Sequence, residues 1–366
     1  MREMKVFIGC CLIHLCIGSI YAWSVLYPNV INSTGWDETI LIAGFSLTIL
    51  ALGLTASFHQ RVFNGFKRVN LLLLGLLIWV ISNACLSLNL TSLNSAIIHI
   101  IVSTVLGVGI GLLYVIPINI ITAYGKTSVA TGLVVFNFGL GSIIAAKLFS
   151  GIVDMSSLLW GVLVYGMLMC MGVCLIFIGL KSSLILIEYN NTFKRDRDWY
   201  VLATIFFFNI GIGISLLSNL TQLSLDRDYT IEGAVFLVAL AGLANTFGRF
   251  IYPLLSDKYE QLDILGLMLD IQAVALVLII VSDSLWGIST VLIISIYGGL
   301  FALMPILCKN KYKDSNAYSQ ILSMWGFSGL ICPLVFSCLG VPSLLIMSSI
   351  LLIAFCNLSK IKGTKG

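Results

Sequence analysis

The sequence is poor in charge. Charged side chains make up only 10% of its 366 residues, against about a quarter in an ordinary soluble domain. Hydrophobic residues make up 59%, and the mean hydropathy is +1.06. A water-soluble fold could not bury that much apolar side chain. The composition therefore excludes a soluble globular protein and indicates a chain that crosses the lipid bilayer many times.

Histidine is also scarce. The three histidines, His14, His59 and His99, lie far apart in the sequence. The sequence shows no paired carboxylates, no metal-binding His/Cys set and no Ser/His/Asp constellation, so we expect no enzyme, no metal and no cofactor. Ten cysteines are present, nearly all inside apolar runs. Cys170 and Cys174 share a helix face, but no second thiol or imidazole pair completes a metal site, and we interpret the cysteines as small packing residues.

Long apolar runs, by contrast, are abundant. A membrane-crossing helix needs about 20 apolar residues, and helices are expected because every backbone amide must be bonded internally in lipid. The first run is too long for a signal peptide and lacks a small-residue cleavage site. We therefore predict an all-α polytopic protein with twelve transmembrane helices, at residues 4–27, 39–59, 70–88, 95–121, 129–150, 157–180, 199–223, 233–255, 263–282, 286–307, 316–338 and 342–359.

Basic residues are distributed unevenly over the predicted loops. Seventeen of the twenty lie on one side, and the loops of the other side hold a single one, Arg227. The remaining two are Lys147, near the outer end of the fifth span, and Arg249, inside the eighth. Because cytoplasmic loops carry the excess of Lys and Arg, we expect both termini in the cytoplasm and a multi-pass protein of the plasma (inner) membrane. With a net charge of only +4, distributed in this way, we expect the lipid bilayer and no nucleic acid as a partner.

A weak internal repeat divides the chain. A shift of 188 residues superposes Gly111 on Gly299 and Pro117 on Pro305, and a shift of 191 gives similar matches, both close to half the chain length. Parallel repeats of this kind build the large twelve-helix transporter fold, with the substrate near the midplane between the halves. We predict a monomer of two six-helix bundles related by pseudo-two-fold symmetry: bundle 1–180, cytoplasmic linker 181–198 and bundle 199–366.

Several motifs, in order along nearly the whole chain, resemble one transporter family. They are "GSIYAWSVLYPNV" followed by Gly35-Trp36, "GVGIGLLYVIP", "YGKTSVATGLVVFNFGLGS", "NTFGRFIYPLLSDK", "YGGLFALMP" and "AYSQILSMWGFSGLICPL". Together they are similar to the oxalate/formate antiporter family of the major facilitator superfamily. The resemblance implies cytoplasmic gating loops, here carrying Lys67 and Arg68 in the first half and Asp257 and Lys258 in the second. One departure is that the loop "VFNGFKRV" lacks the acidic residue that the superfamily usually places before its glycine.

Arg249 is a charged residue inside a predicted span. On a helix it shares a stripe with small and polar residues, and bulky apolar residues lie towards the other side. An unpaired arginine at mid-span costs about 3 kcal/mol on insertion scales. Three explanations remain: the side chain reaches the headgroups, it pairs with Asp270 of the ninth span, or it binds a substrate anion. The stripe that accompanies it consists of Gly242, Asn245, Pro253 and Ser256.

The resemblance favours the third explanation. In the resembled family the arginine at this place binds the substrate's carboxylate, and oxalate-exchanging members add a lysine where this sequence has Trp325. A guanidinium stays protonated and matches a carboxylate with two parallel hydrogen bonds. Predicted spans ten to twelve contain no Lys or Arg, and a second buried negative charge would stay uncompensated. We therefore expect a small carboxylate substrate, and specifically a monocarboxylate such as formate, pyruvate or lactate.

Other residues are candidates for the same binding site. Asn245 lies one turn before Arg249, His14 and Tyr21 share a face of the first helix, and Tyr114 and Tyr297 lie beside glycines in spans four and ten. For each aromatic residue, packing or lipid contact is the alternative, and for Asn137 and Asn209 it is helix–helix hydrogen bonding.

Two residues could couple transport to protons, His14 and Asp270, since spans one to six contain no carboxylate at membrane depth. We favour anion exchange or facilitated transport by alternating access, with proton symport through His14 as an open alternative. Another anion or an amino acid as substrate, and a non-transporting membrane receptor with the same fold, also stay open. Paired glycines in spans four, five and ten would allow close helix contacts: Gly109 and Gly111, Gly139 and Gly141, and Gly298 and Gly299.

Overall fold

The computed structural model of the chain describes residues 2–124, 128–149, 158–187, 194–313 and 315–362. Within these ranges the secondary structure is helical, apart from one isolated β-bridge between Lys67 and Leu186. Eleven helices are long and apolar enough to cross a membrane, and a twelfth apolar helix covers Val341–Cys356. The predicted all-α polytopic fold is confirmed, and each of the twelve predicted spans corresponds to one of these helices.

Two compact units make up the chain. The first consists of Met1–Lys126 and Asn137–Asn190, and the second of Thr127–Phe136 and Asn191–Gly366. The helix of the fifth span therefore contributes its first residues to the second unit and the remainder to the first. The predicted domain boundaries at residues 180 and 199 remain predictions.

The first unit begins with a span that is not uniformly α-helical. Helix α1 gives way at Gly18 to a nine-residue 3-10 segment, where the sequence had predicted one continuous helix. Asp37 then caps α3 by accepting a hydrogen bond from the Thr39 amide at 2.8 Å. Hydrogen bonding from the Thr39 side chain, and secondly from its backbone amide, lowers the pKa of the Asp37 carboxyl. The elements are α1 Arg2–Ile17, the 3-10 segment Gly18–Leu26, α2 Tyr27–Thr34, α3 Glu38–Val62, α4 Arg68–Leu88 with a π-turn Asn89–Leu93, α5 Ala96–Ala123, α6 Ser128–Phe149 and α7 Leu158–Gly179.

The second unit contains six long helices, and one of them forms its core. Helix α11 buries nearly every residue from Ile293 to Cys308. The helices are α8 Arg197–Leu225, α9 Ile231–Ser256, α10 Gln261–Val281, α11 Trp286–Tyr312, α12 Ser315–Leu339 and α13 Val341–Lys362, with a short 3-10 turn at Asp283–Leu285. A further 3-10 turn, Ser182–Leu184, follows α7 in the first unit.

Helices α9 and α11 pack closely because glycines lie at their crossing. A methyl group added at Gly298 would overlap the backbone carbonyl of Asn245 and come within 2.5 Å of its side-chain oxygen. A methyl group at Gly248 would in turn overlap the carbonyl of Ser295. This backbone approach, which only glycine permits, places Asn245 and Arg249 against the core helix of the second unit.

Candidate functional site

Arg249 lies inside the second unit. Only 1% of its surface is exposed, so its side chain does not reach the headgroups. Asp270, the structural partner considered from the sequence, lies on an exposed face of α10. No ion pair joins these two residues in the part of the chain that the structure describes. Two of the three explanations for the buried charge are therefore not supported by the geometry.

The contacts of the guanidinium come from three helices. Its Nε donates to Oδ1 of Asn245 on α9 at 3.4 Å, and its Nη1 donates to the backbone carbonyl of Val135 on α6, also at 3.4 Å. Its central carbon lies 5.2 Å from the ring centroid of Phe301 on α11, within cation–π range. Both hydrogen bonds are longer than the usual 2.9–3.0 Å or so. None of these three groups carries a negative charge.

Phe301 connects Arg249 to the other aromatic residues of the second unit. Its ring centroid lies 4.7 Å from Trp325, 5.5 Å from Tyr297 and 5.3 Å from Phe206, each in an edge-to-face arrangement. The predicted residues Asn245, Arg249, Tyr297 and Trp325 therefore belong to one cluster. We call this set, with Phe301, the arginine cluster. Phe301 was not among the site residues predicted from the sequence, although its position four residues after Tyr297 places both on one face of α11.

A second cluster gathers the predicted site residues of the first unit. The His14 ring lies 5.2 Å from the ring of Tyr114, and Phe138 contacts His14, Tyr21 and Tyr114 at centroid distances of 6.5, 5.4 and 5.5 Å. His14 is fully buried, and its Nδ1 lies 3.2 Å from the carbonyl of Cys10. We call these four residues the histidine cluster. Phe138, which was not among the residues predicted from the sequence, contacts the other three.

The predicted gating residues of the second half lie in the loop after α9. Asp257 accepts a hydrogen bond from the backbone amide of Ser128 at 3.1 Å, so its carboxylate lies at the N-terminus of α6. A negative charge there stabilises a helix through its unpaired amides and its dipole. Lys258 is exposed. The sequence indicated Asp257 as a gating residue, but it did not indicate a helix start as its partner.

The corresponding loop of the first unit, which lacks the acidic residue, is held by the backbone instead. The Gly65 amide donates to the Ile187 carbonyl, the Ile187 amide to the Phe66 carbonyl and the Arg68 amide to the Ile185 carbonyl, all at 2.8 Å. Ile187 is fully buried. Lys67, which forms the β-bridge with Leu186, is exposed, and Arg68 is buried. The segment after α7 therefore pairs with this loop through backbone hydrogen bonds.

Asn209 illustrates a polar residue that serves packing. Its Nδ2 donates to Oε1 of Gln272 at 2.9 Å, and both side chains are fully buried. This hydrogen bond joins α8 to α10 inside the second unit. The structure thus shows the helix–helix role that was one of the two alternatives for Asn209.

The fold has known relatives among solved structures. The human organic anion transporter MFSD10 (TETRAN) superposes with a TM-score of 0.76 at 15% identity, covering 97% of this chain and 98% of that one. The chain has the major facilitator fold. The fucose:proton symporter FucP of E. coli gives a TM-score of 0.72 at 14% identity over 97% of this chain and 98% of its own. A bacterial homologue of the iron transporter ferroportin gives 0.74 at 11% identity over the full length of both chains.

No protein-family model and no curated protein sequence matches the chain. At these identities the likeness shows the fold, and the oxalate/formate antiporter resemblance stays a prediction.

Proposed function

We propose that this protein is a secondary transporter of a small organic anion, specifically a monocarboxylate of the size of formate, pyruvate or lactate. It works by alternating access, as an exchanger or facilitator, in the plasma (inner) membrane with both termini cytoplasmic. The observation that carries the proposal is the arginine cluster: one permanently charged guanidinium, almost fully buried and contacted by the neutral groups of Asn245, Val135 and Phe301. The major facilitator fold supports transport, and the printed name of MFSD10, an organic anion transporter, agrees with the class of substrate.

The charge of the cluster limits the charge of the substrate. A guanidinium forms two parallel hydrogen bonds with one carboxylate. A second carboxylate would need a second cation. Without one, its charge would remain uncompensated in a low-dielectric interior, which costs on the order of several kcal/mol even after the protein relaxes. Trp325 stands at the position where oxalate-exchanging members of the resembled family have a lysine. Its side chain is fully buried and contacts Phe301. An aromatic wall at that position favours a monoanion with a small organic part.

The proposal is tested by uptake into proteoliposomes. Purified protein is reconstituted and loaded with unlabelled formate, and the uptake of labelled formate, pyruvate, lactate and oxalate is compared. We expect uptake of monocarboxylates and little uptake of oxalate. Equal rates for oxalate and formate would contradict the charge argument, and absence of uptake for every carboxylate would contradict the proposed substrate class.

Proton symport through His14 is the second candidate function. The observation that favours it is the complete burial of His14 in the histidine cluster, next to Tyr114. Replacing His14 with glutamine keeps a hydrogen-bonding side chain and removes the titratable ring. Accumulation driven by a pH gradient in wild type and lost in His14→Gln would support symport, and accumulation that persists in the variant would exclude His14 as the proton carrier.

A further inference from the structure

A cavity of about 50 Å³ lies inside the first unit, and no residue of the histidine cluster lines it. Its walls come from the 3-10 segment and from helices α4, α5, α6 and α7. Most of the wall is apolar or aromatic, including Trp23 and Trp79. Ser19, Asn83, Ser87 and Tyr165 supply the polar atoms. Apolar walls with a few polar groups are the usual lining of a small-molecule site.

Two hydroxyl groups of this wall are buried without a hydrogen-bond partner. Ser87 is 1% exposed and Tyr165 is 7% exposed, and neither the Oγ of Ser87 nor the hydroxyl of Tyr165 has a partner among the described residues. A buried hydroxyl that makes no hydrogen bond carries the full cost of its desolvation, and native proteins rarely leave such groups unpaired. Both groups line the same cavity, so one bound molecule could satisfy both.

The chemistry of the wall restricts what can bind. None of the lining residues is charged, so an ion would bring an uncompensated charge into a low-dielectric interior. A hydroxyl group both donates and accepts hydrogen bonds. A guest with a hydroxyl group of its own can therefore donate to one of the two wall hydroxyls and accept from the other. The volume is several times the 10–15 Å³ or so that one water molecule requires, so the space suits a molecule of a few non-hydrogen atoms.

We propose that this cavity binds a small neutral molecule that bears a hydroxyl group. The hydroxyl group hydrogen-bonds to Ser87 and Tyr165, and any carbon atoms of the molecule contact Trp79 and its apolar neighbours. Water and a short alcohol or diol share this chemistry. The site is independent of the proposed carboxylate transport, because it involves no residue of the arginine cluster. Ser19 and Trp23 lie on the 3-10 segment that also carries Tyr21, so an occupant would stabilise the wall from which Tyr21 projects.

The sign of a stability change tests the proposal. Thermal unfolding of the purified full chain is compared for wild type, Tyr165→Phe, Ser87→Ala and the double variant. If a guest bonds to both hydroxyls, each single substitution removes a made hydrogen bond and lowers Tm, on the order of 2 °C. Tyr259→Phe, which alters an exposed tyrosine, is the matched control and should leave Tm unchanged.

The double variant adds a second criterion. Ser87 and Tyr165 make no hydrogen bond to each other, so a shared guest would be the hydrogen-bonded link between them. We expect the double variant to lose less than the sum of the two single losses. A Tm that is unchanged or raised in Tyr165→Phe and Ser87→Ala would show that the hydroxyls were unsatisfied and would overturn the proposal, as would strictly additive losses.

A titration identifies the guest. Ethylene glycol is added at millimolar concentrations, too low for a general solvent effect, and Tm is measured in wild type and in Tyr165→Phe. A saturable rise in wild type that is absent in the variant assigns the site to a short alcohol. Lowered, non-additive Tm values in the variants without any effect of ethylene glycol assign it to water, which also supports the proposed class of guest.

Discussion

Replacement of Arg249 is the most informative perturbation of this protein. In Arg249→Gln the side chain keeps hydrogen-bonding capacity towards Asn245 and loses its charge and its planar fork. If the guanidinium holds the substrate's carboxylate, the loss of one partner of a buried, hydrogen-bonded charge pair costs about 2–5 kcal/mol. That energy corresponds to a fall of about 30- to 5,000-fold in kcat/KM for formate uptake.

Arg249→Lys separates charge from geometry. A lysine keeps the positive charge but cannot form two parallel hydrogen bonds. One charge-assisted hydrogen bond contributes about 1.5–3 kcal/mol, so we expect a loss of about 10- to 150-fold, smaller than that of the glutamine variant. Both variants are assayed by uptake of labelled formate into proteoliposomes that contain equal amounts of protein.

The matched control is Arg227→Gln. Arg227 lies at the end of α8 with its Nε 3.4 Å from Asp283, whose side chain is exposed. Arg227 also donates to the Leu223 carbonyl at 2.9 Å and lies over the Trp286 ring, so its replacement lowers stability. It belongs to neither cluster, and we expect the control, assayed at equal amounts of folded protein, to keep formate uptake within about threefold of wild type, a change of less than about 1 kcal/mol. If Arg249→Gln behaved like the control, the guanidinium would not be the carboxylate site.

Thermal stability distinguishes a substrate-binding arginine from a structural one. In the absence of substrate, the contacts of Arg249 with Asn245 and Val135 are long, at 3.4 Å. Burial of a charge carries a desolvation cost, which hydrogen bonds of this length offset only in part. We therefore expect the Tm of Arg249→Met without substrate to equal or exceed that of wild type, while uptake is lost. A fall of several degrees together with the loss of uptake would indicate that Arg249 stabilises the fold.

Asp257→Asn removes the charge at the start of α6, worth about 0.3–1 kcal/mol, and should lower Tm and slow uptake about two- to fivefold. Asp270→Asn should leave both unchanged because Asp270 is exposed, and a lost pH dependence of uptake would instead assign it a coupling role. Gly298→Ala should lower Tm by several degrees or prevent folding, because the methyl group would overlap a backbone carbonyl of α9. Gly242→Ala, whose methyl group meets no atom within 4 Å, should leave Tm unchanged or raise it, since alanine is the better helix former.

The helices could be predicted because the bilayer imposes a strong and simple requirement. Apolar runs of about 20 residues have few alternatives in lipid, and the predicted spans correspond to the observed helices. The buried face of α9 could also be predicted, because a period of 3.6 residues separates Asn245 and Arg249 from Leu243, Phe247 and Leu254. In the structure the first two are buried and the last three are exposed.

The contacts within each site could not be predicted in the same way. They depend on which helices pack against each other and at what height, and a single sequence carries no direct signal for either. Phe301 and Phe138 each join several candidate residues, yet both looked like ordinary apolar residues of their spans. The hydrogen bond of Asp257 to the start of α6 and the pairing of residues 185–187 with the loop after α3 likewise depend on segments that are far apart in the chain.

The tighter winding of residues 18–26 has a geometric consequence of its own. A 3-10 helix has three residues per turn and a rise of about 2.0 Å per residue, so side chains three positions apart lie directly above one another along its edges. Gly18 and Tyr21 form one such edge and both lie against Phe138, whereas Ile20 and Trp23 form another and both line the cavity. Inserting or deleting one residue here would rotate the following side chains by about a third of a turn. Side chains that now contact Phe138 would then face the cavity or a third side of the helix.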